Sequence, residues 1–156
     1  MKQYIGSKIV KAWPCYRIPV IGGRYEYCEL NEVVPTCITG HPEDGYLVQY
    51  EDGYTYWSPK AVFEKAYRET TGLSFGLAIE AAKMGKKIAR AGWNGKNQYV
   101  ELAYCISYKN NAAEIVNVNH CNIGNKAFAF VGTSGVQMGW LASQADMLAD
   151  DWMFAE

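Results

Sequence analysis

The sequence predicts an α+β fold: an antiparallel β-sheet with short helices, preceded by a small β-rich unit carrying one helix. Three observations lead there. Two segments read as strand, tight turn, strand: Gly45–Tyr50 and Tyr54–Trp57 around Glu51-Asp52-Gly53, and Phe128–Val131 and Val136–Trp140 around Gly132-Thr133-Ser134-Gly135. The helical patterns are short and begin at serines, Ser74 and Ser143, which suit the N-cap because a side-chain oxygen can accept from the unpaired amides of the first turn. At 156 residues and 49% hydrophobic content the chain can bury a core, as one domain or two small ones.

Along the first half, Tyr4–Ala12 reads as a strand, while Trp13 to Pro42 reads as turn-rich. Pro14, Pro19, Gly22-Gly23, Pro35 and Pro42 punctuate that stretch too often for a long element, leaving room for a strand at Tyr25–Leu30. In the hairpin that follows, Asp52-Gly53 supplies the positive φ that a tight turn requires. Ser58 then reads as an N-cap and Pro59 as the first helical residue, with a helix from Lys60 to about Tyr67. Val62, Phe63 and Ala66 share its face toward the hairpin. Thr70-Thr71-Gly72, small and uncharged, marks a boundary between units 1–72 and 73–156.

Beyond it Ser74 caps a helix whose Phe75, Ala78, Ile79 and Ala82 form one apolar stripe, and Gly85 ends it. Ile88–Arg90 and Gln98–Leu102 read as strands flanking a Gly92-Trp93-Asn94-Gly95 turn. The asparagine-rich stretch Tyr108 to Lys126 reads as a long loop or an irregular strand pair, and long loops in compact domains are often functional. After the second hairpin, Ser143 and Asp146 form a capping pair for a short helix to Ala149, and Trp152–Ala155 returns as an edge strand. No repeat or low-complexity tract interrupts this order.

Composition excludes several classes of function. The formal charge is −1, from 15 basic and 16 acidic residues, which argues against gripping long nucleic-acid backbones. The distribution is uneven: Lys83, Lys86, Lys87, Arg90 and Lys96 cluster without an acidic neighbour, which suits a small anion. Apolar runs are too short for a membrane span, and Met1–Gly6 lacks a secretory signal, so a cytoplasmic protein is expected. Five cysteines, none spaced as Cys-x-x-Cys, indicate neither a disulfide framework nor a zinc knuckle. His120-Cys121 are neighbours in sequence and would point to opposite faces of a strand, which argues against a metal site.

The chemistry concentrates around the tryptophan turn. A large ring between Gly92 and Asn94-Gly95 either anchors the turn to the sheet or offers a face on which a base stacks, worth roughly 1–3 kcal/mol per base. Arg90, on the strand leading into the turn, could pair with a phosphate through two parallel donors, with Lys86, Lys87 and Lys96 as point charges; the alternative is a solvated basic face. Capping accounts for Ser143 and Asp146 but leaves Gln144 free to read a base or ribose edge. Trp57, Trp140 and Trp152 read as core or subunit interface, and the twelve tyrosines suit an interface or a wet pocket without selecting a position. No serine-nucleophile elbow, P-loop or His-Glu-x-x-His run is present. A metal-dependent phosphodiesterase built on Asp146, Asp150 and Asp151 is the enzymatic alternative, weakened by their dispersal along a helix and its end.

The Ser74–Gly85 helix, the Gly92-Trp93-Asn94-Gly95 turn and the block Trp140–Trp152, in that order, resemble a small phage-encoded domain whose best understood members are the second type of Thoeris anti-defence protein. The likeness covers roughly residues 73–156, and it departs from the family at Ala142, where a proline is common. It implies a non-enzymatic sponge without cofactor or metal, acting in the cytoplasm of the infected bacterial host. Such a sponge captures a cyclic ADP-ribose-type immune signal, with cyclic dinucleotides as further ligands at a separate site, and so keeps the host effector off. The residues placed at the ligand are Arg90, Trp93, Asn94, Gly95, Ser143, Gln144 and Asp146. A homo-oligomer, tetramer or dimer, is implied. Residues 1–72 resemble short phage segments found alone or attached to other domains, which leaves a second reading open: an accessory module whose β-rich half binds a host protein.

Overall fold

The computed structural model describes residues 3, 7–30, 32, 38–95, 97–116 and 125–155. The chain forms two compact units, Met1–Arg68 and Glu69–Glu156. Its architecture is α+β, with antiparallel sheets and short helices in both.

In the first unit, β1 (Lys11–Val20), β2 (Arg24–Glu29), β3 (Glu43–Gln49) and β4 (Thr55–Pro59) form one sheet in the order β2-β1-β3-β4. The first strand differs from the sequence reading. It begins at Lys11 and runs through Pro14 and Pro19, two of the four prolines of the stretch read as turns; of the segment Tyr4–Ala12, residues 4–6 lie outside the described residues and 7–10 are not strand. The pairing of β1 explains why these prolines are tolerated. β1 pairs with β3 over Lys11–Arg17 and with β2 over Cys15–Val20, so Pro14 has only β3 as a partner strand; Pro19 pairs with β2, and on its other flank its carbonyl accepts from Thr39 N at 2.9 Å, a bond that asks no N–H of the proline. A residue without an N–H fits where one flank of the strand lacks a partner.

The β3–β4 hairpin closes as the Asp-Gly signal implies: Tyr50 N donates to Tyr54 O at 2.9 Å, Gly53 N to Tyr50 O at 3.0 Å, and Gly53 has φ +86°. Helix α1 spans Lys60–Ala66, with Pro59 rather than Ser58 at its N-cap; Ser58 is still in β4 and is buried. Of the face proposed from Val62, Phe63 and Ala66, only Phe63 packs, its ring stacked on Tyr46 at 4.2 Å. Val62 and Ala66 are exposed.

In the second unit, α2 (Phe75–Lys83) follows Ser74, which stands at the N-cap without a side-chain cap bond. Ala78, Ala81 and Ala82 are buried, and Phe75 and Ile79 pack against the same core. Past the C-cap Met84, Gly85 N donates to Ala82 O and Lys86 N to Ala81 O, both at 3.0 Å, the paired bonds of a Schellman termination.

Strands β5 (Ile88–Arg90), β6 (Tyr99–Ala103), β9 (Ala127–Gly132), β10 (Gly135–Met138) and β11 (Trp152–Phe154) form a five-stranded antiparallel sheet in the order β10-β9-β6-β5-β11. Tyr108–Lys109 (β7) and Ile115–Val116 (β8) pair separately, and 117–124, with His120 and Cys121, lie outside the described residues. The short helix α3 covers Gln144–Met147. Trp152, Ile88 and Val100 are fully buried under the alanine face of α2. β11 takes the sheet edge and is held to the chain before α2, with Leu73 N donating to Trp152 O at 2.7 Å. Among the described residues no helix is long and apolar enough to cross a membrane.

Candidate functional site

Strand β5 ends at Arg90, and the chain turns immediately, with Trp93 N donating to Arg90 O at 3.2 Å. Because β5 pairs with β11 in the register Arg90↔Trp152, Asp151 lies beside the start of that turn. Arg90 Nε donates to Asp151 Oδ1 at 2.7 Å, and Gly92 N donates to Asp151 Oδ2 at 3.0 Å. The turn is thus tied to the strand that follows α3.

Asp146, in α3, ties the turn a second time. Its Oδ1 accepts from Arg90 Nη1 at 3.0 Å and from the Trp93 indole Nε1 at 3.3 Å. Its Oδ2 accepts from the Ser143 hydroxyl at 2.7 Å and from Ser143 N at 3.1 Å, while Asp146 N donates back to Ser143 Oγ at 3.1 Å. This capping box is the pair read from the sequence. Asp146 O also accepts from the buried Trp152 Nε1 at 2.9 Å.

Electrostatics follow from these contacts. Burial pushes the Asp146 carboxyl up, but donation from Ser143, Arg90 and Trp93 outweighs it and holds the group below its usual value near 3.8. Asp151 is lowered chiefly by Arg90, with Gly92 N adding to the effect. Arg90 is raised by the same bonds, to Asp151 first and Asp146 second. Both carboxylates are therefore ionised at neutral pH and the guanidinium is committed to them.

In front of this network lies a cavity of about 260 Å³, lined by Trp93, Asn94, Gly95 and Gln98 from the turn, Phe130 from β9, and Trp140 and Asp146. Trp93 meets Phe130 at 5.4 Å, Trp140 at 6.3 Å and Trp152 at 5.4 Å between centroids, all edge to face. Trp93 is half-buried: its edges anchor the turn to the core, and the ring also forms part of the cavity wall. The polar lining is two carboxamides and one carboxylate, with no basic side chain among these residues. Such a surface suits a flat ring bearing hydrogen-bond donors.

Of the residues singled out from the sequence, Trp93, Asn94, Gly95 and Asp146 meet at this cavity. Ser143 and Gln144 are exposed on α3 and do not line it. Arg90 stands behind it, engaged with Asp146 and Asp151. The basic cluster does not converge here: Lys83 pairs with Glu80 at 2.7 Å, Lys87 lies over the Tyr99 ring at 4.5 Å, and Lys96 is outside the described residues. Gln98 and Phe130 carry no local signal that singles them out in the sequence. Trp140, core or interface by its sequence pattern, packs against the core and also lines the cavity; nothing local in sequence places it opposite Trp93. Among the described residues no three His, Cys, Asp or Glu gather to hold a metal ion.

Residues 73–155, which contain every one of these side chains, match the family model of the Thoeris anti-defense 2-like domain. The chain is also similar to the protein named Thoeris anti-defense 2 of Bacillus phage SP01. They are 35% identical over 86 residues, which is 53% of this chain and 93% of that protein.

Proposed function

Since the chain belongs to the Thoeris anti-defense 2-like family, we propose that it counters a bacterial defence by binding and holding a cyclic ADP-ribose-type signalling nucleotide without degrading it. The observation that carries this reading is the aromatic cavity at the Gly92–Gly95 turn, where Trp93, Phe130 and Trp140 surround a few polar groups. In this reading a base stacks on Trp93, and Asn94 meets the base or ribose edge. Arg90 holds Asp146 in place, and the negative Asp146 keeps the diphosphate toward the mouth. Sequestration in the host requires the ligand to be released intact. No nucleophile–base pair enters the proposal.

Affinity supports assembly. A sponge acting at low signal concentration needs roughly nanomolar binding, about −12 kcal/mol. A ligand of about 35 non-hydrogen atoms reaches about −10 to −11 kcal/mol at the roughly −0.3 kcal/mol per atom of drug-sized ligands, so the site has to be enclosed. A cavity of about 260 Å³ falls below the roughly 300–1,000 Å³ of ordinary ligand pockets. A second copy of the chain closing over the mouth supplies the missing enclosure, which makes the working unit a dimer or tetramer.

Calorimetric titration with a panel of cyclic ADP-ribose isomers and cyclic dinucleotides tests the reading, followed by heating the complex and identifying what is released. Tight binding of a cyclic ADP-ribose isomer and its recovery intact are expected. Absence of binding across the panel, or hydrolysed product in excess over protein, overturns it.

A further inference from the structure

Gln98 sits just before β6, half-buried, and its carboxamide lies against the backbone of Gly95. A Cβ built on Gly95 would fall 1.9 Å from Gln98 Cδ, 2.0 Å from Nε2 and 2.2 Å from Oε1. Glycine at 95 therefore makes the space that the amide occupies in the cavity wall. The Gln98 side chain makes no hydrogen bond with a described residue. It thus presents a donor and an acceptor, side by side, to whatever fills the cavity.

Of the other lining groups, the Asn94 carboxamide is exposed where that of Gln98 is half-buried, and the rest read little. Trp93, Phe130 and Trp140 offer faces and edges on which any flat ring packs, and stacking tolerates every base. Asp146 accepts only, and its oxygens already serve Ser143, Arg90 and Trp93. A ligand that covers Gln98 without a matching edge leaves a buried amide unpaired, and sites built to hydrogen-bond reject such ligands far more strongly than apolar sites reject a change of size.

We propose that Gln98 is the specificity-determining residue of the cavity, reading a nucleobase edge that carries an amino donor beside a ring acceptor, in the space that Gly95 leaves. This rests on the nucleotide reading above. The carboxamide turns over to offer either order of donor and acceptor, so the discrimination is against rings that lack an exocyclic polar group.

The experiment titrates the full chain, labelled with ¹⁵N, with adenosine and with purine riboside, which keeps the ring and ribose but lacks the exocyclic amino group. Indole N–H cross-peaks report binding. In the wild type adenosine should bind about tenfold more tightly, the equivalent of one good hydrogen bond. Gln98→Met, equal in length without the amide, should erase that preference by weakening adenosine much more than purine riboside. Gly95→Ala should push the amide into the cavity and weaken both ligands; adding Gln98→Ala should restore purine riboside binding but not the preference. A wild type that does not distinguish the two nucleosides, a Gln98→Met protein that still does, or equal weakening of both ligands by Gln98→Met overturns the assignment. If a cyclic ADP-ribose isomer binds while any of these results is obtained, only the role of Gln98 falls. If neither the nucleosides nor any cyclic isomer binds, the nucleotide reading falls with it.

Discussion

Arg90 Nη1 and Asp146 Oδ1 lie 3.0 Å apart although 56 residues separate them, and the same carboxylate oxygen receives the Trp93 indole N–H. The carboxylate joins three things: the cap of α3, the end of β5 and the orientation of the ring that lines the cavity. Its removal therefore acts at all three.

Asp146→Ala is expected to cost about 2–3 kcal/mol of folding stability, the sum of a lost capping partner and a lost charged hydrogen-bond acceptor. Asp146→Asn keeps an acceptor for Ser143 and should cost less. Chemical denaturation of both variants checks the order; equal losses would mean that the charge, not the cap, dominates.

Truncating Trp93 separates its anchoring of the turn from the proposed stacking. Trp93→Ala is expected to cost roughly 3 kcal/mol, near the low end for aromatic truncations because the ring is half-buried. Trp93→Phe keeps a stacking face but loses the donor to Asp146, so it should fold with a smaller loss and weaken nucleotide binding by less than the alanine variant. Melting temperature and calorimetric affinity, measured on both, separate anchor from platform.

Acid should loosen the turn. Asp146 and Asp151 are held below their usual value near 3.8, so the stability they contribute is complete above that pH and is lost as pH falls through their lower folded values. Melting curves from pH 7 down to about 2.5 should be flat above about pH 4 and fall below it. The Asp146→Asn/Asp151→Asn pair should start lower at neutral pH and show a shallower acid fall.

Gly45 tests the packing of the first unit. A Cβ there would lie 2.3 Å from the carbonyl oxygen of Ser58 and 2.5 Å from the Trp57 ring. A backbone oxygen inside a paired strand cannot move aside, so Gly45→Ala should destabilise by about 3 kcal/mol, the upper part of the range for overpacking. A thermal scan showing no loss would mean that the β3–β4 pairing shifts to accommodate a methyl group.

The features legible in the sequence are those whose cause lies within a few residues. Asp52-Gly53 specified the β3–β4 hairpin, Gly132–Gly135 the β9–β10 hairpin, Gly85 the end of α2, and Ser143 with Asp146 the capping box, because each depends on φ or on a bond spanning three or four positions. Local signals also misled where the surroundings overrode them. Pro14 and Pro19 break isolated strands, but β1 accepts them because its partners β2 and β3 overlap only in part, and no local pattern reports where a partner strand stops.

The sequence by itself determined the α+β class, the two hairpins, the capped α3 and a tryptophan on a tight turn; the tertiary structure alone decided what that tryptophan faces. Phe130 reaches the cavity because β6 pairs with β9 in the register Val100↔Phe130, and Trp140 because the chain after β10 returns to that end of the sheet, where Trp140 N donates to Phe128 O at 2.9 Å. Arg90, a free cation by local pattern, is committed because β11 delivers Asp151 to its side. Register and strand order are set by the burial of Trp152, Ile88 and Val100 together, a collective hydrophobic term that no single stretch of sequence contains.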